Sequence, residues 1–197
     1  MMRVGILLAL LWGLAACGEN STLVATQESI SAVSYREEGP AKLTIITMVN
    51  NRTGSGGHTA LLINGPQRVL FDPAGSFRTD DVPEKGDVLY GITPQVFSIY
   101  KSSHARATHH VVTQEIEVSA EQARIAYQLA IQNGPVPGAF CTSATTSILS
   151  KVPGFEWVNK TYYPVKLQKQ IETYPGVNTE KYYEDDEGNV VDAVALL

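Results

Sequence analysis

The chain has 197 residues and a formal net charge of -5; 44% of its residues are hydrophobic and 18% are charged. This is the composition of an ordinary globular protein, with enough apolar side chains for one domain with a sizeable core. The charge balance and the lack of a basic cluster argue against a nucleic-acid partner, and past the N-terminus no apolar run reaches membrane-spanning length.

Residues 1–16 read as an export signal. Arg3 supplies the positive start and residues 4–14 the apolar stretch. Leu14-Ala15-Ala16-Cys17 looks like a bacterial lipobox. That motif implies cleavage before Cys17, acylation of Cys17, and a lipid anchor in the cell envelope. Gly18 in place of Asp implies the outer membrane, facing the periplasm. Residues 17–40 are polar and rich in Ser, Thr and Glu, which predicts a tether. The folded domain is then 41–197.

Residues 42–49 (KLTIITMV) are rich in β-branched side chains and predict a strand. Residues 50–57 (NNRTGSGG) carry turn chemistry, with glycines that let backbone pass close to another group. Residues 58–63 and 68–72 predict two strands joined by a hairpin at Asn64-Gly65-Pro66-Gln67. Pro73-Ala74-Gly75 ends the second, and 76–86 predicts a charged loop. Residues 87–100 fit either a short strand or a helical turn, because Pro94 interrupts an alternating pattern. Residues 108–118 alternate apolar and polar and predict a strand.

Ser119 and Gln122 form a capping box ahead of Ala123, Tyr127, Ala130 and Ile131, which recur at helical spacing. Gly134-Pro135 stops that helix. A second helix is expected to begin at Cys141, with Ala144, Ile148, Leu149 and Val152 as its buried stripe. A shorter third is expected within 163–174, and 180–189 reads as an acidic solvated surface. Tyr162-Tyr163 and Tyr182-Tyr183 read as packing and surface residues.

Once Cys17 is taken by lipid, Cys141 is an unpaired thiol in an exported protein. Its place at a helix start beside unpaired N–H groups favours the thiolate, which is the reactive form. A nucleophile of this kind needs a base and a group to orient that base. Folding the hairpin about Gly65 sets His58 opposite Asp72. His58, Ala60, Leu62, Leu70 and Asp72 then share one face, and Leu61, Ile63, Val69 and Phe71 the other. Both faces are largely apolar, so the sheet is expected to be covered on both sides. His109 and His110, adjacent on a strand, face opposite sides and cannot readily share a metal. His104 with one of them is the remaining metal alternative, and neither metal nor cofactor is expected.

Gly57-His58-Thr59-Ala60-Leu61-Leu62, then Val69-Leu70-Phe71-Asp72, then Phe140-Cys141-Thr142-Ser143 together resemble the circularly permuted papain-like enzymes of the NlpC/P60 superfamily. That branch includes lecithin retinol acyltransferase relatives and bacterial lipoproteins. Its order is histidine strand, polar residue on the next strand, then cysteine helix, and residues 42–155 follow it. The resemblance implies an α+β papain-like fold, an antiparallel sheet packed against helices. It implies Cys141 as nucleophile, His58 as general base and Asp72 as orienting residue. Asp departs from the His, Asn, Gln or Glu often found at the third position. The oxyanion donor expected by default is the Cys141 backbone N–H.

The expected function is therefore an envelope-anchored cysteine hydrolase that cleaves an amide or ester through a thioester. Its partners would be a peptide, amide or acyl substrate, cell-wall peptides being favoured by location, and a membrane through the lipid anchor. The alternatives are a non-catalytic binding or scaffold lipoprotein of the same fold, and a lipid acyltransferase or acyl hydrolase on the same residues.

Overall fold

The computed structural model describes residues 25–184. The signal segment, Cys17 and residues 18–24 of the expected tether lie outside the described residues, as do residues 185–197.

The strands are β1 (Ala41–Asn50), β2 (Gly56–Asn64), β3 (Arg68–Phe71), β4 (Glu84–Lys85), β5 (Val88–Leu89), β6 (His109–Val118) and β7 (Asn178–Tyr182). They form one antiparallel sheet in the order β4-β5-β3-β2-β1-β6-β7. The helices are α1 (Gln27–Ala32), α2 (Pro94–His104), α3 (Ala120–Asn133), α4 (Cys141–Leu149) and α5 (Pro164–Ile171). The protein is thus α+β, an antiparallel sheet packed against helices.

Strand alternation divides the core into two layers. Leu43, Ile45, Leu61, Ile63, Val69 and Phe71 pack under α1, α3, α4 and α5, whose Ile30, Ala126, Ile148, Leu149 and Leu167 complete that layer. Ile46, Met48, Ala60, Leu62 and Leu70 pack against Val96, Ile99 and Tyr100 of α2 on the opposite face. The sheet is covered on both sides, as the apolar character of both faces requires. The capping box also forms: the Ser119 side chain accepts from the Gln122 N–H, and the Gln122 side chain accepts from the Ser119 N–H.

Two expectations are corrected. Residues 25–40 do not form a tether. Ile30 of α1 is buried in the core, the Tyr35 carbonyl accepts from the Arg68 N–H, and Asn64 exchanges hydrogen bonds with the Glu37 backbone. A buried isoleucine, the packed Ala25 and Val33, and several hydrogen bonds anchor a stretch whose average composition is polar. Residues 87–100, open between a short strand and a helical turn, hold both: β5 at 88–89, and α2 from Pro94 onward. Pro94 opens α2 at its first turn, where a missing N–H has no consequence, and Thr93 caps it. Second, the charged loop expected over 76–86 contains β4. The described part of the acidic C-terminal stretch is solvent-facing as expected, and residues 178–182 form β7, an edge strand on β6. Its glutamate and lysine stand on an exposed edge, which charged side chains protect from further pairing.

The hairpin register also differs from expectation. Leu61 pairs with Phe71 and Leu62 with Leu70, which carries Asp72 beside Ala60 and not directly opposite His58. A shift of two residues preserves the face, so His58 and Asp72 remain on the same side as diagonal neighbours.

Candidate active site

His58 stands near the start of β2, where the sheet ends. Beside it the β1–β2 ladder skips a residue: Met48 pairs with His58 and Val49 with Gly56, leaving Gly57 as a bulge. Bulges bend a strand and re-aim the neighbouring side chain. The glycines here also bring other elements close. A methyl group on Gly56 would run into the Pro164 ring of α5, and one on Gly57 would press on His109 Nε2.

Asp72 lies just past β3 and is only 4% exposed. Its Oδ1 is 2.6 Å from His58 Nε2 and also accepts the Tyr100 hydroxyl at 2.8 Å. Its Oδ2 lies against the backbone of Gly75, where a Cβ would fall directly on the carboxylate. The carboxylate is therefore held by a ring nitrogen, a buried phenol and a glycine. Burial opposes its charge, but the hydrogen bond and charge of His58 and the Tyr100 donor keep its pKa below the usual carboxylate range.

Because Nε2 of His58 is engaged by Asp72, Nδ1 is the nitrogen left for Cys141. Burial pulls the His58 pKa down; the Asp72 hydrogen bond and the Cys141 interaction outweigh it and raise the imidazole to about 9. The thiol responds in the opposite sense. Burial raises it, while His58, the Thr59 backbone and the Thr142 hydroxyl favour the thiolate and lower it to about 7. Between these two values the pair rests as thiolate and imidazolium, a coupled titration that belongs to both groups.

Cys141 is the first residue of α4 and is 8% exposed. It is a free thiol. No side chain caps this helix, so its first N–H groups have no intrahelical acceptor and the positive end of the dipole faces the sulfur. The helix packs over β2 on the Leu61–Ile63 side, and the Thr59 and Thr142 hydroxyls meet at 3.0 Å. His58 belongs by alternation to the other side. Ring and thiol therefore approach each other at the end of the sheet, from helices and strands on opposite faces.

The three residues expected from sequence are thus brought together. The other histidines are not gathered into a second cluster. His104 stacks on the site: its ring lies 6.3 Å from that of His58 and 4.4 Å from that of Tyr100. Its Nδ1–H donates to the Tyr100 carbonyl at 2.8 Å, and burial pulls its pKa below the usual imidazole value. His110 Nδ1 is 2.8 Å from Asn51 Oδ1 and the ring stacks on Tyr183. Among the described residues no group of three or more His, Cys, Asp or Glu is placed to hold a metal ion.

Sequence reasoning missed Tyr100, His104 and Gly75 as members of this site. Tyr100 and His104 are one helical turn apart, so assigning 94–104 as a helix would have set both on one face. Gly75 reads as turn punctuation, and only the folded chain shows it under the carboxylate.

No family model matches this chain, and no curated protein or solved structure compared with it gives a significant match.

Proposed function

We propose that this protein is a cysteine hydrolase of the permuted papain-like kind, acting on an amide or ester bond through a thioester at Cys141. The observation that supports it is the continuous chain of interactions from Tyr100 through Asp72 and His58 to a thiol whose pKa is lowered to about 7.

The thiolate of Cys141 attacks the carbonyl carbon, and the carbonyl oxygen takes the negative charge. N–H groups at the start of α4, the Cys141 N–H first among them, stabilise that oxyanion. The imidazolium of His58 gives its Nδ1 proton to the departing nitrogen or oxygen as the C–N or C–O bond breaks, leaving an acyl thioester. Neutral His58 then takes a proton from water as the water oxygen attacks the thioester. Collapse of the second tetrahedral species expels the Cys141 thiolate, and the thiolate–imidazolium pair is restored. Asp72 holds the imidazole in the tautomer with its proton on Nε2 and stabilises the imidazolium. Tyr100 and Gly75 hold Asp72.

With the lipobox reading of residues 14–17, the enzyme is placed in a bacterial envelope, anchored by acylated Cys17 and working on peptides, amides or acyl groups there. Two measurements test the proposal. Incubation with p-nitrophenyl acetate is expected to release nitrophenolate in a burst and to add one acetyl mass to Cys141. A burst that persists in Cys141→Ala would refute the assignment. Mass spectrometry of membrane-extracted protein is expected to find a lipid-modified Cys17 as the first residue; an intact Met1 terminus would refute the anchor.

A further inference from the structure

Phe140 directly precedes Cys141 and occupies the N-cap position of α4. Ser, Thr, Asp or Asn is preferred there, because each bonds a free N–H. Phe140 makes no such bond, and the residue is 45% exposed. Ala139 before it has φ 68, a left-handed conformation that residues other than glycine seldom adopt and that gathers at functional sites. The chain thus departs twice from ordinary helix-start chemistry, and the outcome is an apolar ring displayed beside the nucleophile.

A second ring meets it. Tyr162 packs edge-to-face on Phe140 with centroids 5.7 Å apart, and is itself 52% exposed. Tyr163, the next residue, is 62% exposed. Among the described residues the exposed large hydrophobic side chains are Ile131, Phe140, Tyr162, Tyr163 and Tyr183; two of them meet at Phe140–Tyr162, and Tyr163 follows in the chain with the Lys166 ammonium 4.7 Å from its ring centroid. The place is fixed from the strand side as well. Pro164, which opens α5 directly after Tyr163, rests on Gly56, two residues before His58. The segment that carries Tyr162 and Tyr163 is therefore held at the end of the sheet from which His58 projects.

We infer that Phe140 and Tyr162, continued by Tyr163, are the specificity-determining wall of the site and receive an apolar acyl group attached to the carbonyl that Cys141 attacks. This rests on the proposed nucleophile. Exposed ring faces and edges offer methylene groups a surface from which water leaves, which is favourable in proportion to the apolar area covered. Covering only two methylenes is worth about tenfold in binding. The step is the acylation already described: the Cys141 Sγ–acyl bond forms, the ester C–O bond breaks, and the leaving oxygen takes the His58 proton.

The test compares p-nitrophenyl octanoate with p-nitrophenyl acetate on the full chain, reading kcat/KM and the acyl mass on Cys141, with thermal melts to confirm folding. The octanoate-to-acetate ratio is expected to be about ten or more in the wild type. It is expected to fall at least about fivefold in Phe140→Ser, Tyr162→Ser or Tyr163→Ser, and to hold in Ile131→Ser, an exposed apolar residue of α3. A wild-type ratio near one, or a ratio that survives the Phe140 and Tyr162 changes in folded protein, would overturn the inference. A stronger preference for N-acetyl-phenylalanine p-nitrophenyl ester, lost in Phe140→Ser, would give the wall to a peptide side chain and overturn the acyl assignment. Absence of a Cys141 adduct with all three esters would overturn the nucleophile reading, and the specificity reading with it.

Discussion

The Tyr100 hydroxyl donates to Oδ1 of Asp72 across 2.8 Å, inside a fully buried environment. The same oxygen faces His58 Nε2 at 2.6 Å, so the phenol fixes the carboxylate that fixes the imidazole. Tyr100→Phe keeps the ring, which packs on Phe77, Phe97 and His104, and removes only the donor. The expected result is a fall of about tenfold in kcat, matching one lost hydrogen bond to a charged group. KM should hold, because Tyr100 positions Asp72 and does not touch substrate. Steady-state kinetics at saturating ester checks this; an unchanged kcat would remove Tyr100 from the positioning chain.

The pH dependence follows from the two opposed shifts. The thiol is lowered, so the thiolate is present above about 7 and lost as pH falls through that value. The imidazole is raised, so the imidazolium is present below about 9 and lost as pH rises through it. Alkylation of Cys141 by iodoacetamide should therefore rise through a midpoint near 7. In His58→Ala the midpoint should move up toward the ordinary thiol value of 9.0. Acylation, which needs both charged partners, should make kcat/KM bell-shaped between the two limits. An alkylation midpoint that ignores His58→Ala would mean that another group activates the sulfur.

Residues that act as one unit fail together. Cys141→Ala and His58→Ala are each expected to abolish hydrolysis, and the double variant to be no worse than either. Their effects on folding should separate. Cys141→Ala removes one sulfur at a helix start and should change stability little. His58→Ala leaves the buried Asp72 charge without its cationic partner and should cost about 1–3 kcal/mol. Chemical denaturation beside the activity assay distinguishes the two.

Gly75 gives a prediction that involves no chemistry of its own. A Cβ at this position would occupy the space of the Asp72 carboxylate. Gly75→Ala is expected to displace Asp72 and lower kcat by about tenfold to a hundredfold, with the Cys141 alkylation midpoint moving upward as His58 loses its orienting partner. Unaltered activity in Gly75→Ala would mean that the loop yields freely and that the contact does not hold the carboxylate.

The segment ahead of β1 can be tested by stability alone. Ile30 of α1 is 4% exposed in the core layer under the helices. Ile30→Ala should cost about 2–4 kcal/mol if α1 is part of the domain. A loss within about 0.5 kcal/mol would be the behaviour of a surface tether.

Much of this protein was legible in its residues, because the patterns concerned are local. Two-residue alternation assigned Leu61, Ile63, Val69 and Phe71 to one face and Ala60, Leu62 and Leu70 to the other. The Ser119–Gln122 pair marked a helix start, and Cys141 was expected at another, both within the reach of one turn of chain. His58 and Asp72 shared a face for the same reason, even though the register differed by two. Three features needed the tertiary structure. α1 docks through a single isoleucine that polar surroundings conceal. Tyr100 becomes a partner of Asp72 only because α2 crosses the face opposite α4. Cys141 and His58 meet because the sheet ends at the Gly57 bulge, where elements from both faces can touch. Alternation says which way a side chain points; which elements stand across from it depends on strand order and on where each strand stops, and both are set by packing between segments far apart in the chain.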